Sequence, residues 1–493
     1  MEDAVSGGKL SYPGTDSRWT DRLRPGLATF AALPDDELVG AIATYLEPLM
    51  DFAKTVLHRK QQDFGSFPVY LRATAGMRII TDVDRARVVK AVRTLFSNNT
   101  FCPFQFEDEQ ARVLSGEEEA IYGWTGVNFL LSTLIEDSVG AGTVIEPRLT
   151  YGALDMGGAS TQISFYEPTG DIMASLFKLQ IGQGKHWNLY AHSFLYYGIN
   201  EARDRLEANL IDNVNWTQRL VVGIYNPCLP GGTSRTVRSA MHIKSDGYET
   251  WSNDTTGEDY GVSESIEGGF RNAIIKNENK IGDFDKCNDL AYHLLHKKQN
   301  NWCDFSHRGD CSFAGTYQPD LPDQSERFGE FLAFSNYLGV WQFLDLAPRS
   351  SLRQLEAAAR VHCEMSLESI TKIAKDRIDD GEDIAEYCFR SAYVFQILHN
   401  GYGFELDDYV TSTGVVSGQK VGWALGAMLY EINTLPWHYN PVSQPAHLRQ
   451  PVITGYFAIL LTAIFVGCFF VYKSQRNRLS NRMGYEVIKP VNG

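Results

Sequence analysis

Several things are missing from this chain of 493 residues. Its first 25 residues, MEDAVSGGKLSYPGTDSRWTDRLRP, hold no apolar run that could serve as a signal peptide or membrane anchor. No repeat, low-complexity tract or long block of like charge follows, which excludes a solenoid or an extended charged tail. Positive charge is scarce: 45 Lys and Arg stand against 60 Asp and Glu, a formal net charge of −15. That balance argues against a polyanion such as DNA as partner, so no nucleic acid is expected. CxxC pairs are lacking, and no cysteine joins histidines at zinc-like spacing. A P-loop is lacking as well. Gly182-Gln183-Gly184-Lys185 ends like one, without the upstream glycine spacing or the following Ser/Thr.

What is present begins with composition: 44% apolar and 21% charged residues describe an ordinary globular chain. Its length suggests roughly two to four domains. Val452 to Tyr472 carries no charge and is long enough to cross a bilayer as a helix. Lys473, Arg476, Arg478 and Arg482 follow at once, which places residues 473–493 in the cytosol and the bulk outside or in a lumen. Sequons at Asn98, Asn215 and Asn253 all precede the span. So do seven of the eight cysteines, for which disulfides are the better reading; an odd number leaves one thiol over. The two ends conflict, because a span at the C-terminus alone would leave this bulk in the cytosol. The expectation is a sequence that is N-terminally incomplete or a variant without its leader; an unconventional cytosolic form is the alternative.

Along the chain, Gly26–Arg59 reads as helical, with Leu38, Ile42, Leu46, Phe52 and Val56 inward. Pro68–Arg72 reads as a short strand and Asp82–Phe96 as a helix with Val83, Val88, Val89, Val92 and Leu95 apolar. Gly116 opens a helix on which Ala120, Trp124, Val127, Leu131 and Leu134 recur at three- and four-residue steps. Ala153–Ile163 reads as strand, glycine turn and strand, with Asp155 ending the first strand. After Phe165 the chain is expected to be loop-rich, and Gly422–Leu435 to form a last apolar helix. Alternating strands and helices imply an α/β protein.

Three windows, in order, carry the chemistry: Ala73-Thr74-Ala75-Gly76-Met77-Arg78, Gly116-Glu117-Glu118-Glu119-Ala120-Ile121-Tyr122-Gly123-Trp124 and Ala153-Leu154-Asp155-Met156-Gly157-Gly158-Ala159-Ser160-Thr161-Gln162-Ile163. Paired glycines let backbone N–H groups close on an anion, as in a phosphate nest. An acid in each of two neighbouring windows suggests metal-assisted attack on that phosphate. Further windows are Tyr190–Gly198 (YAHSFLYYG), Phe331–Ser335 (FLAFS), Tyr387–Phe389 (YCF), Gly401–Phe404 (GYGF) and Gly422–Gly426 (GWALG). In this order they resemble the apyrase family, the ecto-nucleoside triphosphate diphosphohydrolases, of the cell-surface, membrane-anchored type. The resemblance covers about Gly26 to Trp437. It implies an α/β, actin-like (RNase-H-like), two-lobed ectodomain with the active site in the cleft between the lobes, plus one C-terminal transmembrane helix. Residues 1–25 stay unassigned. Lobe one would be 26–115 with a return at 414–437, and lobe two 116–413; a stalk at 438–451 leads to the span at 452–472 and the tail at 473–493.

The resemblance also assigns roles. Glu119 matches the general base, with Ser160 and Gln162 orienting the water. Taken alone, Glu119 also reads as a first-turn acid facing the helix dipole. Thr74, Ala75 and Gly76, with Gly157, Gly158 and Ala159, would bind phosphate. Asp155 would hold Ca²⁺ or Mg²⁺ through water, hard cations preferring oxygen ligands; alone, it is a strand-end acid closing a turn. Arg78 reads as a structural ion-pair partner. Tyr402 matches one side of a base-stacking clamp. Leu338 or Gly339 stands where the other ring is expected, so Tyr337 substitutes or stacking is one-sided. Trp423 resembles an aromatic near the metal, or is a packing tryptophan. By resemblance the disulfides are Cys228–Cys287, Cys303–Cys311 and Cys363–Cys388, with Cys102 free and Cys468 in the span.

The family's first phosphate loop, Asp-Ala-Gly-Ser-(Ser/Thr)-His-Thr, is absent from this sequence. Losing one of two phosphate clamps implies several decades in rate. The expectation is therefore divalent-cation-dependent hydrolysis of nucleoside tri- and diphosphates on the outer or lumenal side, best placed at the plasma membrane, with this chain impaired. The rival is a non-catalytic form acting by binding or as an oligomer partner, a homo-oligomer included. Two short strings stay unspecific: Arg308-Gly309-Asp310, an integrin-like tripeptide, and Tyr485-Glu486-Val487-Ile488, an endocytic-type signal.

Overall fold

A computed structural model of the chain describes residues 15–434, apart from 17, 135–146, 169–175, 181–185, 213–222, 240–270, 280, 298–310, 325–328, 376 and 378–382, together with residue 473. Gly14–Leu435 forms one compact unit. The expected span 452–472, the stalk and tail, Cys303, Cys468, Asn215, Asn253 and the two short strings lie outside the described residues. Among the described residues no helix is long and apolar enough to cross a membrane.

A first hydrophobic core is mainly helical. Helix Asp35–Val56 buries Leu38, Ile42, Leu46 and Met50 at four-residue steps. The expected continuation through Phe52 and Val56 is only half-buried, because the ridge runs on through Met50 instead. Helix Asp82–Phe96 starts where the Thr81 hydroxyl accepts the Asp84 N–H, and it buries Val88, Ala91, Val92, Leu95 and Phe96. Val83 is 68% exposed, against expectation. At 100° per residue it lies about 140° around the helix from Val88, on the solvent side. Strands β1 (Leu71–Ala73) and β2 (Ala111–Val113) pair in parallel. Pro68, expected within a strand, makes only an isolated bridge to Gln105, as suits a residue without an N–H.

The second core is built on a seven-stranded mixed sheet in the order β11-β12-β10-β3-β4-β6-β5. Its members are β3 (Gly152–Met156), β4 (Ser160–Tyr166), β5 (Leu176–Gln180), β6 (His186–Leu195), β10 (Phe331–Ser335), β11 (Arg349–Ser351) and β12 (Tyr409–Ser412). A smaller sheet holds β7 (Ile224–Tyr225), β8 (Ser234–Ser239) and β9 (Arg271–Lys276). Strands β3, β10 and β12 run parallel, while β3–β4 and β4–β6 are antiparallel and place Asp155 opposite Gln162 and Gln162 opposite Ser193. Among the described residues the loop-rich stretch expected after Phe165 is not found. Strands β5 and β6 and helices Ile199–Asp212, Phe284–His293, Asn336–Phe343, Leu352–Cys363 and Tyr387–Gln396 fill it. Polar residues such as Asn188, His192 and Ser193 break the apolar alternation of β6, and strand pairing overrides that local signal.

Two disulfides fall as expected, Cys228–Cys287 and Cys363–Cys388. Cys311 is also disulfide-bonded, and Cys102 is free and buried. Helix Gly116–Leu130 crosses the last helix, Trp423–Thr434. Their backbones touch: a Cβ on Gly426 would stand 1.9 Å from the Tyr122 carbonyl oxygen, and one on Gly126 2.7 Å from that of Gly422. Only glycine allows that approach.

Candidate active site

Helix Gly116–Leu130 separates three consecutive acids by role. Ser115 and Glu118 form a capping box: Ser115 Oγ accepts the Glu118 N–H at 3.1 Å, and Glu118 Oε2 accepts the Ser115 N–H at 2.9 Å. Glu118 also takes a two-pronged contact from Arg112. The dipole-facing role therefore belongs to Glu118, while Glu119, one residue on, turns inward and is 6% exposed. Arg78 Nη2 donates to Glu119 Oε2 at 2.8 Å and to Ser160 Oγ at 3.2 Å, and Arg78 Nη1 donates to the Leu114 carbonyl at 3.1 Å. Burial raises the Glu119 carboxyl above its usual range, and the Arg78 charge pulls it back.

Gln162 is 1% exposed. Its Nε2 donates to Ser160 Oγ at 2.5 Å, to Ser193 Oγ at 2.9 Å and weakly to Glu119 Oε2 at 3.4 Å. Its Oε1 is buried with no hydrogen-bond partner among the described residues. Asp155, the penultimate residue of β3, is 6% exposed. Burial first, then the neighbouring Glu119 charge, push it up to about 7, and a hydrogen bond from Ser335 pulls it down. Ser335 holds φ +60°, a strained angle for a non-glycine residue, at the last position of β10.

The turn between β3 and β4 is held by its carbonyls. Gly157 O accepts from Ile199 N at 3.0 Å, Gly158 O from Asn200 N at 2.9 Å, and Ala159 O from Tyr196 N at 2.8 Å. Gly198 presses against the turn so closely that a Cβ there would lie 2.4 Å from Ala159 N. The amides of Gly158 and Ala159 make no bond to other described residues, whereas the Gly157 N–H goes to Ser160 O at 2.9 Å. Gly157 therefore does not offer the expected amide. Across from this turn, Thr74 precedes the one-turn helix Ala75–Arg78 at the end of β1, and Ala75 is buried.

Other expected residues fall elsewhere. Tyr402 is 1% exposed, packed against Phe194 and Phe313, with its hydroxyl 3.2 Å from Thr161 Oγ1. Tyr337 is fully buried beside it. Neither ring has a face open to a base, so the stacking role expected of Tyr402 does not fit this placement. Trp423 packs on the cluster of Leu114, Tyr122 and Ala427. Asn98 is exposed. Ser193 and Ser335 stand in windows read from the sequence, yet only the tertiary structure shows that they reach Gln162 and Asp155.

No three or more His, Cys, Asp or Glu side chains converge on a metal among the described residues. A divalent cation nevertheless fits here. Asp155 and Glu119 are both buried acids, Arg78 pairs with Glu119, and among the described residues Gln162 Oε1 lacks a donor, so the free acceptors are hard oxygens.

Two buried carboxylates beside a glycine turn in an α/β sheet, with two amides of that turn unspent among the described residues, are groups of the kind a phosphohydrolase uses. The chain belongs to the GDA1/CD39 (nucleoside phosphatase) family, which it matches over residues 8–450. It is 30% identical over 457 residues to ectonucleoside triphosphate diphosphohydrolase 1 of Bos taurus, covering 90% of this chain and 80% of that protein. With ectonucleoside triphosphate diphosphohydrolase 2 of Homo sapiens it shares 30% over 448 residues, 88% of this chain and 78% of that protein. The solved structure of a nucleoside triphosphate hydrolase from Neospora caninum aligns over 88% of this chain and 84% of its own, with TM-score 0.55 and 19% identity. That likeness bears on the fold, an α/β architecture with mixed sheets.

Proposed function

We propose that this chain hydrolyses nucleoside tri- and diphosphates by direct attack of water on the terminal phosphorus, in a cleft between two actin-like lobes. The observation that carries the reading is the set of free valences around Glu119. Ser160 Oγ already accepts from Arg78 and Gln162, so it has only its proton left to give. Among the described residues Gln162 Oε1 is an acceptor without a donor. A water bridging the three would give one proton to Glu119 and one to Gln162 Oε1, accept the Ser160 proton, and keep its last lone pair for phosphorus. As the new P–O bond forms, Glu119 takes the proton, the old P–O bond breaks, and the shorter nucleotide leaves with those electrons. Gly158 and Ala159 amides, with Thr74–Gly76 opposite, hold the transferring oxygens.

Asp155 would hold Ca²⁺ or Mg²⁺ through water, and the bound cation offsets charge on the outer phosphates. The uncharged run Val452–Tyr472 and the basic residues after it support a membrane anchor, an outer or lumenal catalytic unit and a cytosolic tail. The plasma membrane suits relatives named ectonucleoside enzymes. Exposed Asn98 supports glycosylation.

One observation favours a non-catalytic binding or oligomer-partner role. Among the described residues, the sheet that carries Thr74–Gly76 has only two strands. Phosphate release from ATP and ADP with Ca²⁺ or Mg²⁺, set beside Glu119→Gln, separates the two. Release that vanishes in the variant supports hydrolysis; no release from the unaltered chain supports the rival.

A further inference from the structure

Resting on the hydrolytic reading of the site, we propose that Ser335 is a positioning residue for the cation, held in a strained backbone so that its hydroxyl fixes the Asp155 carboxylate.

Strand geometry shows why the strain is needed. In the β10–β3 register Ser335 lies beside Met156, and Phe334 beside Asp155. Side chains alternate across a strand, so an extended Ser335 would share the face of Met156. On that face Phe331 and Ala333 of β10 pack with Leu154 and Met156 of β3. Asp155 lies on the other face, where Leu332 and Phe334 pack with Ala153. The Ser335 hydroxyl nevertheless bonds the Asp155 carboxylate, because φ +60° and ψ −126° swing the side chain out of the alternation. Such a conformation is the province of glycine. A serine held there costs stability that a glycine would not, which points to a use for its hydroxyl.

That use is not capping. Ser335 precedes helix Asn336–Phe343 without a side-chain bond to it. Ser115 and Ser351, at φ −66° and −80°, each accept an N–H of the helix they start. Asn336 Nδ2 donates to the Met156 carbonyl at 2.7 Å and fastens the end of β10 to β3 beside Asp155. An ionised carboxylate only accepts, so Ser335 must donate, and the sense of the bond is fixed. With one carboxylate oxygen turned to Ser335, the other is left to the water shell of Ca²⁺ or Mg²⁺.

The test reads binding and stability on the full chain, with Ca²⁺ and a non-hydrolysable ATP analogue as the calorimetric probe. Ser335→Ala keeps the strained backbone without the hydroxyl, and Ser335→Gly removes both. Each is expected to raise the Ca²⁺ dissociation constant about tenfold, the cost of losing a bond that orients a metal-holding carboxylate. The glycine variant should nevertheless melt about 2 °C above the alanine variant, since it alone relieves the backbone. In an Asp155→Asn background, Ser335→Ala should weaken Ca²⁺ no further. Unchanged Ca²⁺ binding in Ser335→Ala, or an added loss in the Asp155→Asn background, overturns the proposal. So does a glycine variant no more stable than the alanine one, or an unaltered chain that binds no Ca²⁺. If that chain binds the probe but releases no phosphate from ATP, hydrolysis alone fails, and the Ca²⁺ comparison still decides the role of Ser335.

Discussion

The helical region around residues 35–113 and the region around the seven-stranded sheet each present one wall to the candidate site, and they support it differently. The wall at Gly157–Ala159 is a turn tied to β3 and β4 at its ends and pinned from behind by amides of Tyr196, Ile199 and Asn200. The wall at Thr74–Gly76 rides on one three-residue strand of a two-stranded sheet. Among the described residues Arg78, which belongs to the first wall, reaches Glu119 and Ser160 of the second, and Arg112 beside it holds Glu118. Chemistry should therefore depend most on the sheet side, and the tuning of that chemistry on the helical side.

The largest expected effect lies on the sheet side. Glu119→Gln should lower kcat by about a thousandfold, the loss of a general base, whereas Thr74→Ala should cost only about tenfold, one of several phosphate contacts. Equal losses, measured as initial rates at saturating ATP, would break the comparison. Next comes the crossing of helices Gly116–Leu130 and Trp423–Thr434. Gly426→Ala forces a Cβ onto the Tyr122 carbonyl and should destabilise the fold by about 3 kcal/mol, the upper range for overpacking. Denaturant unfolding measures it, and an unchanged midpoint would show that the helices part freely.

Arg78→Ala sharpens the link itself. Arg78 lowers the Glu119 pKa against the rise caused by burial. Removing it leaves the carboxyl protonated to higher pH, so the acid limb of the kcat/KM profile should move upward. A limb that stays in place would mean that Arg78 only packs. The smallest effect is expected far from the site. His362 is 3% exposed, with neither ring nitrogen partnered among the described residues, and burial lowers its pKa to about 4. The unfolded ring takes a proton near pH 6.5 and the folded ring only near 4. Its stabilising contribution is thus complete above about pH 6.5 and is lost as pH falls toward 4. His362→Phe should flatten that part of the curve of melting temperature against pH.

Local signals could be read where chemistry and spacing coincide. Helix Asp82–Phe96 is found with the bounds its apolar spacing implies, because Val88, Val92 and Leu95 recur on one side of a 3.6-residue turn. The β3–β4 hairpin is equally legible, with Asp155 next to the end of one strand and the glycines in the turn. Strand β6 was not, since its Asn188, His192 and Ser193 find their places through partners on β4 and on the Glu119 helix rather than through their own alternation.

By itself the sequence determined the family, the α/β class, the hairpin that bears Asp155, Ser160 and Gln162, and two disulfides observed here. Each follows from residues close together in the chain, or from ordered windows whose chemistry is specific. Only the tertiary structure decided that Glu118 caps its helix while Glu119 meets Arg78 from 41 positions away. It alone decided that Tyr402 closes into the core, and that Gly126 and Gly426 let two helices touch. The reason is physical: burial, hydrogen-bond partners and backbone contact depend on segments remote in the chain, and no local pattern encodes which of them will meet.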